Sequence, residues 1–305
     1  MSTGPAGPTE PTAEARLEQV LADLAAEGDV LEQLVAELDD DAWRTPTPAP
    51  GWDVATQVAH LAWTDEVAVA AATDKAAWDA LVLRALEDPD GFVDAEALAG
   101  GQVEPAALLE RWRRGRGALA EALRSVPAGE RLPWFGPPMS PTSMATARFM
   151  ETWAHTLDVA DALGAVVAPT DRIRHVAHLG VRTRGFSFAS NGLTPPAEEV
   201  RVELVAPSGE TWTWGPQDAV ARVTGSAYDF CLRVTQRRHR ADLDLHATGP
   251  GADQWLDVAQ AFAGPPGPGR APGATGLDDP AGPVGPGAAP GPGVPGAPGD
   301  PGVPR

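Results

Sequence analysis

Apolar residues recur through the first forty positions at helical spacing. Leu17, Val20, Leu21 and Leu24, then Val30, Leu31, Leu34, Val35 and Leu38, follow an i, i+3, i+4, i+7 pattern from Glu14. The pattern predicts an amphipathic helix ending near residues 39–41. The segment TPTPAPGWD stops it, because its prolines remove backbone donors and fix φ. Asp53 is then placed to cap a second helix, VATQVAHLAWTDEVAVAAA. A third helix is predicted over about residues 73–86 and a fourth over 105–124, with Pro105 acceptable in its first turn. An aromatic–proline loop, LPWFGPPMSP, leads into SMATARFMETWAHTLDVADALG, a helix closing at Gly164 as a C′ glycine. Residues 14–165 therefore read as an all-α bundle with one long crossover loop.

Beyond VVAPT the period changes. Residues 171–188 read as one more helix. VRVELVAP and ETWTWG then alternate about Ser208–Gly209 in the manner of a β-hairpin. A helix over 218–234, a strand over 241–247 and a helix over 252–263 complete a small α+β domain, residues 170–263. Overall the fold class is α+β. Composition marks off the ends. Of 33 Gly and 32 Pro, 13 of each fall in residues 264–305, so this stretch reads as a disordered Pro/Gly-rich tail that lacks the apolar surface to offset ordering entropy. Residues 1–13 read likewise as a disordered N-terminus.

Charge narrows the function classes. Lys and Arg total 23 against 42 Asp and Glu, a formal charge of −19. Such a chain is a poor partner for nucleic acid or an anionic membrane, whose binding depends on Lys and Arg neutralising phosphates. The single Cys231 excludes an internal disulfide and a cysteine zinc cage. No stretch approaches the roughly 18 apolar residues of a membrane span, and the first twenty residues lack the pattern of a signal peptide. The expected setting is cytoplasmic. Phosphate-cradling glycine motifs and a GxSxG elbow are missing, which leaves nucleotide cofactors and serine hydrolysis without support.

The histidines carry the chemistry. Glu151 precedes His155 by four residues, so both side chains occupy one helix face and offer a bidentate platform for a metal. His60, mid-helix in QVAHLAW, could supply a third ligand from a facing helix. Three protein ligands leave one coordination position open, as in catalytic zinc sites. Spacing alone equally allows an ordinary surface pair and a satisfied core histidine.

PGWDVATQVAHLA, with MATARFMETWAHTLDVADALG far downstream, resembles the mycothiol-dependent maleylpyruvate isomerase family, a branch of the DinB-like metal-binding bundles. PWFGPPMS together with ARFMETWAHTLD looks more like a metal-binding subfamily related to the isomerase than the isomerase itself. The resemblance spans roughly residues 15–262 and is strongest in the bundle. It implies that His60, Glu151 and His155 bind a divalent metal, usually zinc. It also implies mycothiol as thiol cosubstrate, with its sulfur in the open metal position, where the cation favours the thiolate. A homodimer is the assembly common among such bundles. In the isomerase family an arginine of the C-terminal domain reaches the active site. VTQRRH puts Arg237 near that position as catalytic and cofactor-binding residue, with Arg238 beside it as a second cofactor-binding residue, although the surrounding pattern departs from the isomerase and a solvated basic run would look the same.

Other polar residues are open to two readings. Asp158 is either the hydrogen-bond partner of a ligand histidine or a surface acid. Arg148 either orients Glu151 or pairs with it on the surface. His175 and His178 share a face without a third ligand and read as surface or interface histidines; His239 and His246 have no metal spacing. Cys231 reads as a small buried hydrophobe, and Trp63, Trp134 and Trp153 as core. The function so read is a zinc-dependent, mycothiol-using isomerase or S-transferase acting on a small electrophile. The alternative is a non-catalytic metal- or ligand-binding protein of the same fold, and a fourth side chain capping the metal position would favour it.

Overall fold

A computed structural model describes residues 11–264, 266–267 and 269–274. Most of the expected disordered N-terminus (1–10) and tail (275–305) lies outside the described residues. Helix α1 (Ala13–Val35) opens at Thr12, whose hydroxyl accepts the Ala15 N–H at 3.2 Å. It stops short of residues 39–41. There Asp39 accepts the Ala42 N–H at 2.8 Å and starts a 3-10 turn that buries Trp43.

Helix α2 (Val54–Thr73) is capped by Asp53, whose carboxylate accepts the Thr56 N–H at 2.8 Å, as the sequence predicts. It is buried on all sides over its first three turns, because four other helices pack on it: α3 (Lys75–Glu87), α4 (Phe92–Gly101), α5 (Pro105–Ser125) and α6 (Pro141–Leu163). Helix α4 is absent from the sequence reading. Its closing glycines weaken helix propensity, but they let it approach α2: a Cβ on Gly100 would lie 3.0 Å from that of Ala59. α1 pairs with α6 and α2 with α5, which completes the four-helix bundle. α6 ends at Gly164 (φ +64°), where the Ala165 N–H donates to the Ala160 carbonyl at 2.9 Å in a Schellman cap.

The predicted helix over 171–188 is instead a 3-10 turn followed by α7 (Arg174–Arg182) and α8 (Arg184–Ser190). The break falls at Thr183, whose hydroxyl donates to the Gln260 carbonyl at 2.8 Å. Strands β1 (Val200–Val205) and β2 (Thr211–Trp214) form the expected antiparallel hairpin, with Val205 opposite Thr211. The expected helix over 218–234 is half wrong. Its first part is strand β3 (Ala221–Ser226), parallel to β1, with Ala221 and Val223 inward at the period of two. Only α9 (Ala227–Val234) is helical, and it begins where the Ser226 hydroxyl accepts the Asp229 N–H. β4 (Leu245–Thr248) pairs antiparallel with β3, giving the order β2-β1-β3-β4. Residues 241–242, expected in that strand, belong instead to a 3-10 turn over 240–242. α10 (Pro250–Val258) ends before residue 263, because Ala261 leaves the helix to donate its N–H to the Val234 carbonyl at 2.7 Å.

One core joins the bundle to the sheet layer. Phe149, Trp153 and Leu157 of α6 pack in a single apolar cluster with Phe230 of α9 and Trp255 of α10. α6 thus presents one face to the bundle and another to the α+β layer. Among the described residues no helix is long and apolar enough to cross a membrane.

Candidate metal centre

Two rigid helices and one proline-bound loop supply the site. His60 projects from α2, and Glu151 and His155 from α6; one ligand atom from each lies within 4.8 Å of the others. His155 Nε2 is 3.2 Å from Glu151 Oε2, and His60 Nε2 is 3.5 Å from the same oxygen. The two imidazoles sit 4.6 Å apart between ring centres. Trp52, from the loop before α2, stacks on His155 at 5.9 Å and tilts against His60 at 5.3 Å.

His60 is 2% exposed, yet neither of its ring nitrogens makes a hydrogen bond within the protein. Leaving buried polar atoms unpaired is costly, so the arrangement points to a missing partner. Burial pushes the His60 imidazole down to about 4, so it is neutral at pH 7 with a lone pair available. Glu151 goes the other way. Burial alone would raise its carboxyl, but the adjacent His155 and His60 rings outweigh that and hold it well below the usual carboxylate range. A neutral imidazole beside an ionised carboxylate is the protonation state that metal ligation needs.

Gln57, one turn before His60 on α2, sets the tautomer of His155. Its side-chain carbonyl accepts the Nδ1–H of His155, which turns the Nε2 lone pair toward Glu151 and His60. The amide cannot flip without loss, because its NH2 donates to Thr47 Oγ1 at 2.8 Å and that hydroxyl donates to the Trp52 carbonyl at 3.0 Å. The loop TPTPAPGWD is therefore more than a helix stop. It makes a tight turn, with the Thr47 N–H on the Trp52 carbonyl at 2.8 Å, that carries Thr47 and Trp52 to the site.

The His–Glu–His group opens through Glu151 and His155 into a cleft on one side. Pro48, Trp52, Met150, Ala154, Gln236 and Arg237 line it, with Glu151 and His155 at its floor. No fourth His, Cys, Asp or Glu joins the group among the described residues.

The comparisons with known proteins bear on this geometry. Residues 24–160 match the profile of the mycothiol maleylpyruvate isomerase N-terminal domain, and residues 196–248 that of wyosine base formation. An uncharacterized protein found in two strains of Mycobacterium tuberculosis is 59% identical over 250 residues, covering 82% of this chain and 97% of the relative. The crystal structure of the mycothiol-dependent maleylpyruvate isomerase superposes with a TM-score of 0.51 at 16% identity, covering 76% of this chain and 92% of that one. The chain belongs to the mycothiol-dependent maleylpyruvate isomerase-like family. The helical bundle followed by a small four-stranded sheet matches the α+β class expected from the sequence.

Within this family fold the other singled-out residues take definite places. Asp158 is no surface acid. It is buried, 3.8 Å from His155 Nδ1, and it holds two guanidinium groups: Arg237 Nη2 at 2.8 Å and Arg270 Nη2 at 2.8 Å. Arg237 lines the cleft, whereas Arg238 is committed to Asp161 through two bonds of 3.0 Å and is not among the lining residues. Arg148 neither orients Glu151 nor pairs with it: it forms a fully buried ion pair with Asp65 at 2.9 Å. Cys231 is buried, and desolvation pushes its thiol well up, which fits a packing role. His175 pairs with Asp23 of α1 at 2.8 Å, and His178 lies beside Trp214. His239 accepts the Ala241 N–H, and His246 is exposed beside Asp244. Trp63, Trp134 and Trp153 pack against Phe92, Trp78 and Tyr228 respectively.

Sequence reasoning missed Gln57, Thr47, Trp52, Gln236 and Arg270. Arg270 falls inside the stretch read as tail, yet it is 5% exposed and bridges Asp158 and Asp161. The first residues of that stretch are thus docked on the body, because one arginine meets two paired carboxylates. Gly-Pro composition hides such a contact; an isolated Arg in so uncharged a run was the available signal.

Proposed function

We propose that this protein is a metal-dependent, thiol-using enzyme of the isomerase or S-transferase type, with His60, Glu151 and His155 as the ligands of zinc or another divalent metal. The observation that carries the reading is the unpaired, neutral His60 imidazole facing an ionised Glu151 and the Nε2 of His155 beside an open cleft. Two nitrogens and one carboxylate oxygen suit zinc. When bound, such an ion supplies Lewis acidity and stabilises a thiolate at neutral pH.

The chain's own residues do the rest. Gln57 keeps the proton of His155 on Nδ1. Trp52 and Pro48 wall the cleft against water, and Arg237, anchored on Asp158, offers a fixed cation to a small anionic electrophile. Addition of a thiol across an activated double bond leaves a single bond about which the substrate can rotate. Expulsion of the thiol completes an isomerisation, and its retention completes a transfer. The family resemblance supports mycothiol as the thiol and the cytoplasm as the setting. The open cleft, free of a fourth ligand side chain among the described residues, favours this reading over metal binding without turnover.

Calorimetry on metal-loaded and chelator-stripped protein tests the proposal. Mycothiol should bind the loaded protein, release a proton as it does so, and fail to bind the stripped one. Equal binding to both would overturn the coupling of thiol to metal.

A further inference from the structure

Among the described residues, Gln236 is the non-glycine residue with a positive φ, +58°. It occupies the C′ position of the Schellman cap that ends α9. The Arg237 N–H donates to the Leu232 carbonyl at 2.8 Å and the Gln236 N–H to the Arg233 carbonyl at 3.1 Å. Glycine is the residue this position favours, because a Cβ strains the left-handed backbone. Here the side chain is kept, 6% exposed, against the cleft that holds Glu151 and His155. Its carbonyl Oε1 is buried with no hydrogen-bond partner.

The next residue shows a matching lack. Arg237 anchors one Nη on Asp158 and the other on the Thr235 carbonyl, but its buried Nε–H is unpaired. Two adjacent cleft residues thus carry one unpaired acceptor and one unpaired donor. Strained backbone and unpaired buried polar atoms coincide where a ligand completes the structure.

We propose that Gln236 and Arg237 recognise the non-reacting part of the ligand, and that this part carries a hydrogen-bond donor, an amide N–H or a hydroxyl, for Gln236 Oε1 next to an acceptor for Arg237. The ligand class is then a polar thiol with an amide or hydroxyl group, distinct from a simple alkyl or carboxyalkyl thiol. This deepens the metal–thiol reading above and rests on it.

Cobalt(II)-substituted protein separates the two claims, because sulfur coordination adds a near-ultraviolet charge-transfer band. The probes are N-acetylcysteine and 3-mercaptopropionate. Both carry a thiol and a carboxylate, and only the first carries an amide N–H. Wild type should bind N-acetylcysteine about tenfold more tightly, the scale of one buried hydrogen bond. Gln236→Gly should abolish that preference, leave the affinity for 3-mercaptopropionate and the cobalt content unchanged, and not lower the thermal midpoint, since glycine relieves the backbone. A merely structural glutamine would lower it. Gln236→Met, of similar size without an acceptor, should lose the preference as well. A wild-type preference retained in both variants, or none in wild type, would overturn the inference while the metal–thiol reading stands. Absence of the band with both thiols in wild type would overturn that reading and the inference together.

Discussion

Gln57 is uncharged and fully buried, and it fixes where the proton of His155 resides. Gln57→Leu removes that acceptor and is expected to weaken metal binding about 10- to 100-fold, the usual effect of losing the outer partner of a ligating histidine. Competition with a chromophoric chelator would measure it, and unchanged affinity would show that His155 needs no such partner. A neighbouring prediction concerns Arg148, which neutralises buried Asp65 at 2.9 Å. Arg148→Met should cost about 3–5 kcal/mol in urea unfolding, because a carboxylate stays buried without its cation. His60, Glu151 and His155 were legible in the sequence through helical spacing and family resemblance. Gln57 and Gln236 were not. A glutamine has no diagnostic spacing, and its role arises only when a partner from another element arrives.

At the scale of elements, the site depends on how α2 enters the bundle. Asp53 caps its first turn and belongs to the same turn that carries Thr47 and Trp52. Asp53→Ala should destabilise the fold by about 1 kcal/mol while metal content persists, since the ligands sit on later turns. Loss of metal with the cap would show that the loop and the ligands form one unit. The bundle helices were readable because their apolar positions recur over five or six turns. The stretch 218–234 was misread because six strand residues run directly into an eight-residue helix, too short for either period to declare itself. The glycines that end α4 hid it in the same way, since their purpose lies in α2.

The whole molecule is held together near the site by charge as well as by the shared core. Asp158 and Asp161 of α6 receive Arg237 and Arg238 from beyond α9 and Arg270 from beyond α10. For Asp161, burial raises the carboxyl but the hydrogen bonds and charges of Arg238 and Arg270 outweigh it, so its folded value lies below the ordinary 3.8. A depressed carboxyl stabilises the fold at pH above its unfolded value, and that contribution is lost as pH falls through the folded one. Asp161→Asn should therefore lower the thermal midpoint at pH 7 and narrow its gap to wild type below about pH 4, the unfolded aspartate value. A gap that is constant with pH would assign the loss to packing instead. Composition could not reveal this layer, because it depends on which arginines reach which carboxylates.

The central claim is that His60, Glu151 and His155 hold a divalent metal in a bundle whose apolar core supplies its stability. Elemental analysis of purified wild type, His60→Ala and His155→Ala, each with its circular dichroism, addresses it directly. The account predicts about one zinc or other divalent ion per wild-type chain, almost none in either variant, and helical spectra that coincide. Metal near one per chain in both variants would contradict it.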